Sequence, residues 1–205
     1  MDAPLRKGLV ELRPMESADF LPLLYRHSKS KETGSRIRSQ YEKEFKERSD
    51  AVGTLGLYCC EEVVGGITFS HRPFPYEPEF FSARLDTVLT VPKFRGMGLG
   101  RILMSGLFLH SVETLGDKLH RYSTVALHPS VEHFVKDLGF EGLEESDTPL
   151  YAIDLGDKDR RDEFESNVRR AYSLSLQSVR EQCMVCMHRP WSPVWCRPKE
   201  QKRSA

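Results

Sequence analysis

Residues 88–115 read VLTVPKFRGMGLGRILMSGLFLHSVETL, a β-type run that stops at a proline, then a glycine-rich turn opening into an apolar helix. Leu85 to Val91 is rich in β-branched and aliphatic residues, and Pro92 ends the run because proline brings no N–H to a sheet ladder. From Leu99, apolar residues recur at helical spacing through Ile102, Leu103, Leu107, Val112 and Leu115. Met104, Phe108 and Leu109 fill more of the circumference, which predicts a largely buried helix, and Gly116 is its expected stop. Between strand and helix lie Arg95, Gly96, Gly98 and Gly100. Glycines there remove the Cβ atoms that would hold a ligand away from the backbone, and the open N–H groups of a first helical turn attract an anion. The expected ligand group is a pyrophosphate.

Spacing separates the ligand classes that use such a turn. A Walker loop requires Gly-Lys-Ser/Thr at the helix start, where this chain has Gly100-Arg101-Ile102. A dinucleotide fingerprint requires G-x-G-x-x-G in a strand-helix-strand unit, whereas Gly96, Gly98 and Gly100 run G-x-G-x-G and lie mid-chain. The string Pro92-x-x-Arg95-Gly96-x-Gly98-x-Gly100-Arg101 resembles motif A, Q/R-x-x-G-x-G/A, of the GNAT (GCN5-related N-acetyltransferase) superfamily, which holds the pyrophosphate of an acyl-coenzyme A. The resemblance implies an α/β (α+β) fold: a mixed, mainly antiparallel central sheet flanked by helices, with acetyl-CoA lodged in a V between two splayed central strands. It also implies that Thr90, Val91, Arg95, Gly96, Met97, Gly98, Leu99, Gly100 and Arg101 contact that co-substrate.

A second resemblance lies in HPSVEHFVKDLGFE, residues 128–141, which is similar to the family's motif B, N-x-x-A-x-x-x-Y-x-x-x-G-F. Aligned on Gly139-Phe140, the chain departs from it by placing His128 at the usual asparagine and Val135 at the usual tyrosine. The likeness extends from about Leu9 to Leu155.

Composition narrows the rest. A chain of 205 residues buries one sizeable core, and its 30 basic residues cancel its 30 acidic ones, which argues against a nucleic-acid coat or a membrane-surface protein. No apolar run approaches the roughly 18 residues of a membrane span, and the polar stretch MDAPLRKGLVELRPMESADF has no signal-peptide core, so the expected location is the cytosol. Five cysteines, an odd number, read as reduced thiols.

Along the chain, Leu9 to Met15 alternates as a strand does, and Ser17 is a possible cap for a helix carrying Phe20, Leu23 and Leu24. Ile37, Tyr41 and Phe45 mark a second helix after a basic stretch holding Arg26, Lys29, Lys31, Arg36 and Arg38, which would either attract an acidic acceptor or form a solvated face. Gly53 to Cys60 and Val63 to His71 predict an antiparallel hairpin whose glycines favour bulges. The proline- and aromatic-rich Arg72 to Ser82 reads as an irregular loop, either a wall of the acceptor pocket or a cover for the core. Tyr122 to Leu127 predicts a strand, Ser130 a possible cap, Val131 to Leu138 a short helix and Phe140 to Leu155 two closing strands.

The expected division is a GNAT domain over 1–156 and, over 157–205, a helical extension with a tail rich in proline, tryptophan and cysteine. Cys183, Cys186, His188 and Cys196 are enough in number for a tetrahedral zinc site. The seven residues between His188 and Cys196 include Pro190 and Pro193, which limit the fold-back, so no metal is assigned and the tail reads as a packing or docking segment.

Acyl transfer from a thioester to an amine needs a neutral amine, a polarised carbonyl and a departing thiolate. Asp86, on the strand before motif A, is the first candidate for the base, with Glu77 and Glu79 behind it. A backbone N–H near Thr90 or Val91 would polarise the carbonyl. A free thiol ionises near pH 8.5, so loss of the motif B tyrosine does not forbid turnover; His128 would protonate the sulfur or bind pantetheine, or else only cap the next helix. The expected activity is N-acetyl transfer from acetyl-CoA to a primary amine of a small molecule or peptide. The alternatives are a non-catalytic acyl-CoA-binding module and a protein-interaction module built on the tail.

Overall fold

The computed structural model describes residues 10–16, 19–20, 22–23, 52–59, 62–126, 128–143 and 149–187. Ser17, Leu24, the basic stretch, the second expected helix with Ile37, Tyr41 and Phe45, Cys60, the side chains of Cys183 and Cys186, and all of His188 and Cys196 lie outside them.

Seven strands form one sheet among the described residues: β1 (Val10–Pro14), β2 (Val52–Cys59), β3 (Glu62–Pro73), β4 (Phe81–Thr90), β5 (Leu119–Val125), β6 (Glu141–Leu143) and β7 (Leu150–Asp154). Their order is β1-β2-β3-β4-β5-β7-β6. Every pairing is antiparallel except β4 with β5, which is parallel and is bridged by helix α1 (Leu99–Leu115). A parallel pair demands a crossover of this length, and the apolar helix expected from the sequence supplies it. Two further helices are α2 (Pro129–Asp137) and α3 (Lys158–Met187).

Adjacent residues of β3 show how the sheet is covered on both faces. A Cβ on Gly65 would meet Leu103 of α1 at 3.0 Å, while one on Gly66 would meet Phe20 at 2.8 Å and Leu23 at 3.1 Å. Phe20 and Leu23, helical residues near the start of the described chain, therefore pack on the face opposite α1. On the α1 face, Phe108, Tyr122, Phe140 and Phe164 form an aromatic cluster with ring centroids 4.5 Å (Phe108 to Tyr122) and 5.8 Å (Phe108 to Phe164) apart. Phe164 belongs to α3, so the C-terminal helix shares this core. At Gly106 a Cβ would sit 2.5 Å from Leu12 and 3.3 Å from Tyr172, which is the close approach that lets α1 slide between β1 and α3.

Several boundaries differ from the sequence expectations. β4 begins at Phe81 and β5 at Leu119, earlier than expected, because Phe81 and Leu119 pair across the parallel ladder. Helix α2 begins at Pro129 with His128 as its cap, one residue pair ahead of the expected Ser130 cap. Among the described residues no helix is long and apolar enough to cross a membrane.

Candidate acyl-donor cleft and its surroundings

The site begins with one extra residue. Thr68 pairs with Thr87 and Phe69 with Leu85, so Asp86 is a bulge on β4. At the same level β5 parts from β4: the last parallel pair is Leu85 with Thr124. Beyond it β4 stays bonded to β3 as far as Thr90, and β5 stays bonded to β7 as far as Val125. A V-shaped gap opens between them.

Which backbone groups face the gap follows from one hydrogen bond. The Val91 N–H donates to the Val64 carbonyl at 3.0 Å, so the groups of Val91, and by alternation those of Leu89, point to β3. Val88 and Thr90 turn theirs toward the gap. This corrects the expectation for Val91, whose N–H is spent on the neighbouring strand and cannot polarise a thioester carbonyl.

The gap continues into a cleft of about 590 Å³, lined by Val88 and Thr90 of β4, Phe94, Arg95 and Gly96 of the turn, Gly98 to Arg101 and Met104 of α1, and His128, Ser130 and Val131 at the start of α2. The turn is built by sequence. Pro92–Phe94 makes one 3-10 turn, and Gly96 and Gly98 take φ of 81° and 78°, values that a residue with a side chain adopts only at a cost. Gly100 has no such backbone demand, yet a Cβ there would meet nothing within 4 Å. Glycine at this position thus serves the open space of the cleft rather than the fold.

Gly98 caps α1, and the Arg101 and Ile102 N–H groups both return to its carbonyl, at 3.0 and 3.3 Å. Those of Leu99 and Gly100 have no carbonyl within the helix to reach. The first turn of α1 contains no acidic side chain, so the positive end of the helix dipole is not neutralised from within. Arg95 and Arg101 are exposed at its rim, and the Arg101 guanidinium lies over the Phe134 ring at 5.6 Å. The open Cβ space, the unpaired helix end and the two cations fit a pyrophosphate. The N-terminus of α2 meets the same cleft, and Glu132 in its first turn is committed elsewhere. Its carboxylate accepts from Lys136 and from the Tyr151 hydroxyl, both at 2.7 Å, and these bonds hold it below the usual carboxylate range.

His128 lines the cleft and caps α2, so its two expected roles coexist. Its Nδ1 accepts the Ser130 N–H at 3.2 Å and contacts the Ser130 hydroxyl at 2.7 Å, which leaves Nε2 to carry the proton of the neutral ring. Val135, where the tyrosine is usual, is fully buried. Asp86 stands at the apex of the V, its side chain one quarter exposed, with Oδ1 3.1 Å from Arg84 Nε in an ion pair whose angle makes no hydrogen bond. Glu77 and Glu79 are exposed in the loop before β4, at the end of the strand about 30 Å along it from the turn. They do not share the cleft. Met97 is not among the residues that line it; it lines a second groove of about 390 Å³ with Leu174, Ser175 and Ser178 of α3.

Below the apex a polar chain runs inward from part-buried His71 to buried Tyr122, joining residues that no sequence spacing connects. His71 Nε2 of β3 lies 3.0 Å from the Ser111 hydroxyl of α1, which lies 2.9 Å from the Tyr122 hydroxyl of β5. Burial, with the nearby His110 adding to it, lowers the His71 pKa from 6.5 to about 4. Burial lifts the Tyr122 phenol above its ordinary value, the Ser111 hydroxyl partly offsets this, and the Asp86 charge adds to the rise.

Residues 18–140 match the acetyltransferase (GNAT) family. The chain belongs to that family. No curated protein matches it. Solved structures share its fold at low identity. The complex titled AtaTR bound with AcCoA has a TM-score of 0.54 at 13% identity, over 80% of this chain and 98% of that one. NAA60 of Arabidopsis thaliana, in complex with a bisubstrate analogue, has a TM-score of 0.52 at 12% identity, over 73% and 100%. The structure titled histone acetyltransferase HPA2 and related acetyltransferase, from Corynebacterium glutamicum, has a TM-score of 0.50 at 20% identity, over 70% and 93%. At these identities the likeness concerns the fold alone.

The family matched here is the one that motif A pointed to, and the sheet is the mixed, mainly antiparallel one that the resemblance implied. Sequence reading missed Val88, Phe94, Met104, Ser130 and Val131 as lining residues. Period-two alternation would have found Val88 once Thr90 was chosen, since the two share a strand edge.

Proposed function

We propose that this chain transfers an acetyl group from acetyl-CoA to a primary amine by direct attack, without a covalent acyl-enzyme. The observation that carries the proposal is the gap between β4 and β5 running unbroken to the un-neutralised N-terminus of α1. A pyrophosphate on the turn leaves the pantetheine arm to follow the edge of β4 toward Asp86. The Val88 N–H is the best placed donor for the thioester oxygen, a role that oxyanion-hole donors fill in acyl transfer generally. The amine nitrogen bonds to the acyl carbon, the carbon–sulfur bond breaks, the amine proton passes to Asp86 directly or through a bridging water, and the thiolate leaves. The Nε2–H of His128 would hydrogen-bond the sulfur or the pantetheine arm. The acceptor is an amine-bearing small molecule or peptide, and the protein works in the cytoplasm.

One observation favours a second reading. Val135 brings no hydroxyl to the cleft, which fits a module that holds acyl-CoA without turning it over. Mass spectrometry of the purified protein for retained coenzyme A, followed by thiol release over an amine library, separates the two. Thiol release with a defined acceptor supports the transferase; bound coenzyme A with no release on any amine supports the module; no binding refutes both.

A further inference from the structure

The face of the sheet turned away from α1 carries a charge pattern of its own. Tyr122 of β5 packs on Phe108 of α1 and pairs with Ala83 of β4, while His71 of β3 reaches Ser111 of α1. Strand alternation then turns the neighbours of these residues to the opposite face: Ser70 and Arg72 on β3, Ser82 and Arg84 on β4, Arg121 and Ser123 on β5. Arg72 pairs with Ser82 and Ser82 with Arg121, while Ser70 pairs with Arg84 and Arg84 with Ser123. Arginine and serine thus alternate both along and across three neighbouring strands. With strands about 4.8 Å apart and a rise of about 3.3 Å per residue, the three arginine Cα atoms form a triangle with sides of about 8 to 10 Å. Side chains as long as these converge on one small group.

The charge on this face favours an anion. Asp86 has Oδ1 3.1 Å from Arg84 Nε, and Asp154 of β7 lies 3.8 Å from Arg121 Nη2. Neither contact is a hydrogen bond, the first by its angle and the second by its length. Among the described residues no carboxylate lies within ion-pair reach of Arg72. Two carboxylates therefore face three guanidiniums, whose forks suit a carboxylate or a phosphate. Ser70, opposite Arg84 and two residues from Arg72, is 1% exposed, and its hydroxyl has no hydrogen-bond partner. A group held between the two arginines would supply one. The carboxylate of Asp86 meets Arg84 and so shares this face, and α1 covers the other, so an acceptor comes to Asp86 across the arginines.

We infer that Arg72, Arg84 and Arg121 hold an oxyanion, carboxylate or phosphate, that the amine acceptor carries at the end remote from its amine. The inference rests on the acetyl-transfer reading of the cleft. Arg84 stands two residues before Asp86, so amine and oxyanion are about 7 Å or more apart in the acceptor. That spacing excludes an α-amino acid, whose two groups share one carbon. Thiol release from acetyl-CoA by the full chain tests the inference with two acceptors that differ in charge alone, 6-aminohexanoate and 6-aminohexanamide. Beside them, 5-aminopentyl phosphate shows which oxyanion is preferred. The acid should exceed the amide about tenfold or more in kcat/KM, by a preference that shrinks as salt rises. Arg72→Gln and Arg121→Gln, neither of them in the core, should each cut that ratio about tenfold through a higher KM for the acid. Equal kcat/KM for acid and amide in the parent would overturn the inference and leave the transferase reading standing. An equal preference for glycine over glycinamide would overturn it too, since the anion would then sit beside the amine. If neither long acceptor releases thiol, ligand-observed NMR of the pair on the full chain decides: binding of the acid over the amide that Arg121→Gln removes supports the inference, and equal binding overturns it. Absence of thiol release over a whole amine library would instead refute the transferase reading.

Discussion

Acidification from pH 7 to pH 5 should weaken the fold through His71, a residue remote from the glycine turn. Its pKa is lowered from 6.5 to about 4, chiefly by burial. The folded state thus favours the neutral ring, and the unfolded chain takes up the proton first. The stabilisation is fully present above pH 6.5, is lost as the pH falls through that value toward 4, and changes no further below it. Across the window from pH 7 to pH 5 the full shift would cost about 2 kcal/mol; His71 is only part-buried, and discounting for solvent screening leaves about 1 kcal/mol. With a urea m-value of about 2 kcal/mol/M, that is a midpoint shift of about 0.5 M. The comparison that isolates this residue is His71→Gln, whose amide still reaches Ser111 and carries no charge at either pH. Urea unfolding followed by circular dichroism at both pH values should show the variant losing about 0.5 M less than the parent. Parallel losses in the two proteins would mean that His71 does not carry the pH dependence and that the polar chain is not sealed from water.

Three further substitutions address the cleft. Gly100→Ala should raise helix stability by about 1 kcal/mol, because alanine is the better helix former and its Cβ meets no protein atom, while coenzyme A affinity falls at least about tenfold; thermal melts and calorimetry check both halves, and unchanged affinity would refute the cradle. Arg95→Glu should lower coenzyme A affinity by about a hundredfold or more with no change in melting temperature, since the residue is exposed and its charge at the rim is reversed; equal affinity by calorimetry counts against the pyrophosphate site. Asp86→Asn should lower turnover by about a hundredfold at saturating amine, most severely at low pH, with little effect on coenzyme A binding; an unchanged pH–rate profile would give the proton-accepting role to water alone.

What the sequence made legible is what depends on local chemistry. The strand ending at a proline, the glycine-rich turn and the apolar helix stopped by Gly116 each follow from residue type and short spacing, and each is found. What it hid depends on partners far along the chain. Whether Val91 or Val88 faces the gap is set by the pairing of β4 with β3, and the bulge at Asp86 appears only once Thr68 and Phe69 are matched against Thr87 and Leu85. The His71–Ser111–Tyr122 chain joins three elements whose contact no periodicity announces. The charged stretch after Asp157 forms α3, Lys158–Met187, and its position beside the turn is a consequence of its packing on α1.

The bulge also explains why one strand can serve both the sheet and a ligand. β4 must keep its hydrogen bonds to β3 up to Val91, or the turn that follows would lose its anchor. It must also release β5 after Leu85, or there would be no gap. In a closed sheet the edge of β4 from Val88 to Thr90 would be matched by β5; here β5 instead ends its ladder on β7, and the Ala126 N–H goes to the Pro149 carbonyl at 3.0 Å. An exposed strand edge in the middle of a sheet costs free energy unless water or a ligand completes its hydrogen bonds, on the order of 1–3 kcal/mol for each buried group left unmet. A ligand that is itself a chain of amides can run beside β4 as a missing strand would, which is why a gap of this shape favours a pantetheine arm over a compact metabolite of the same volume.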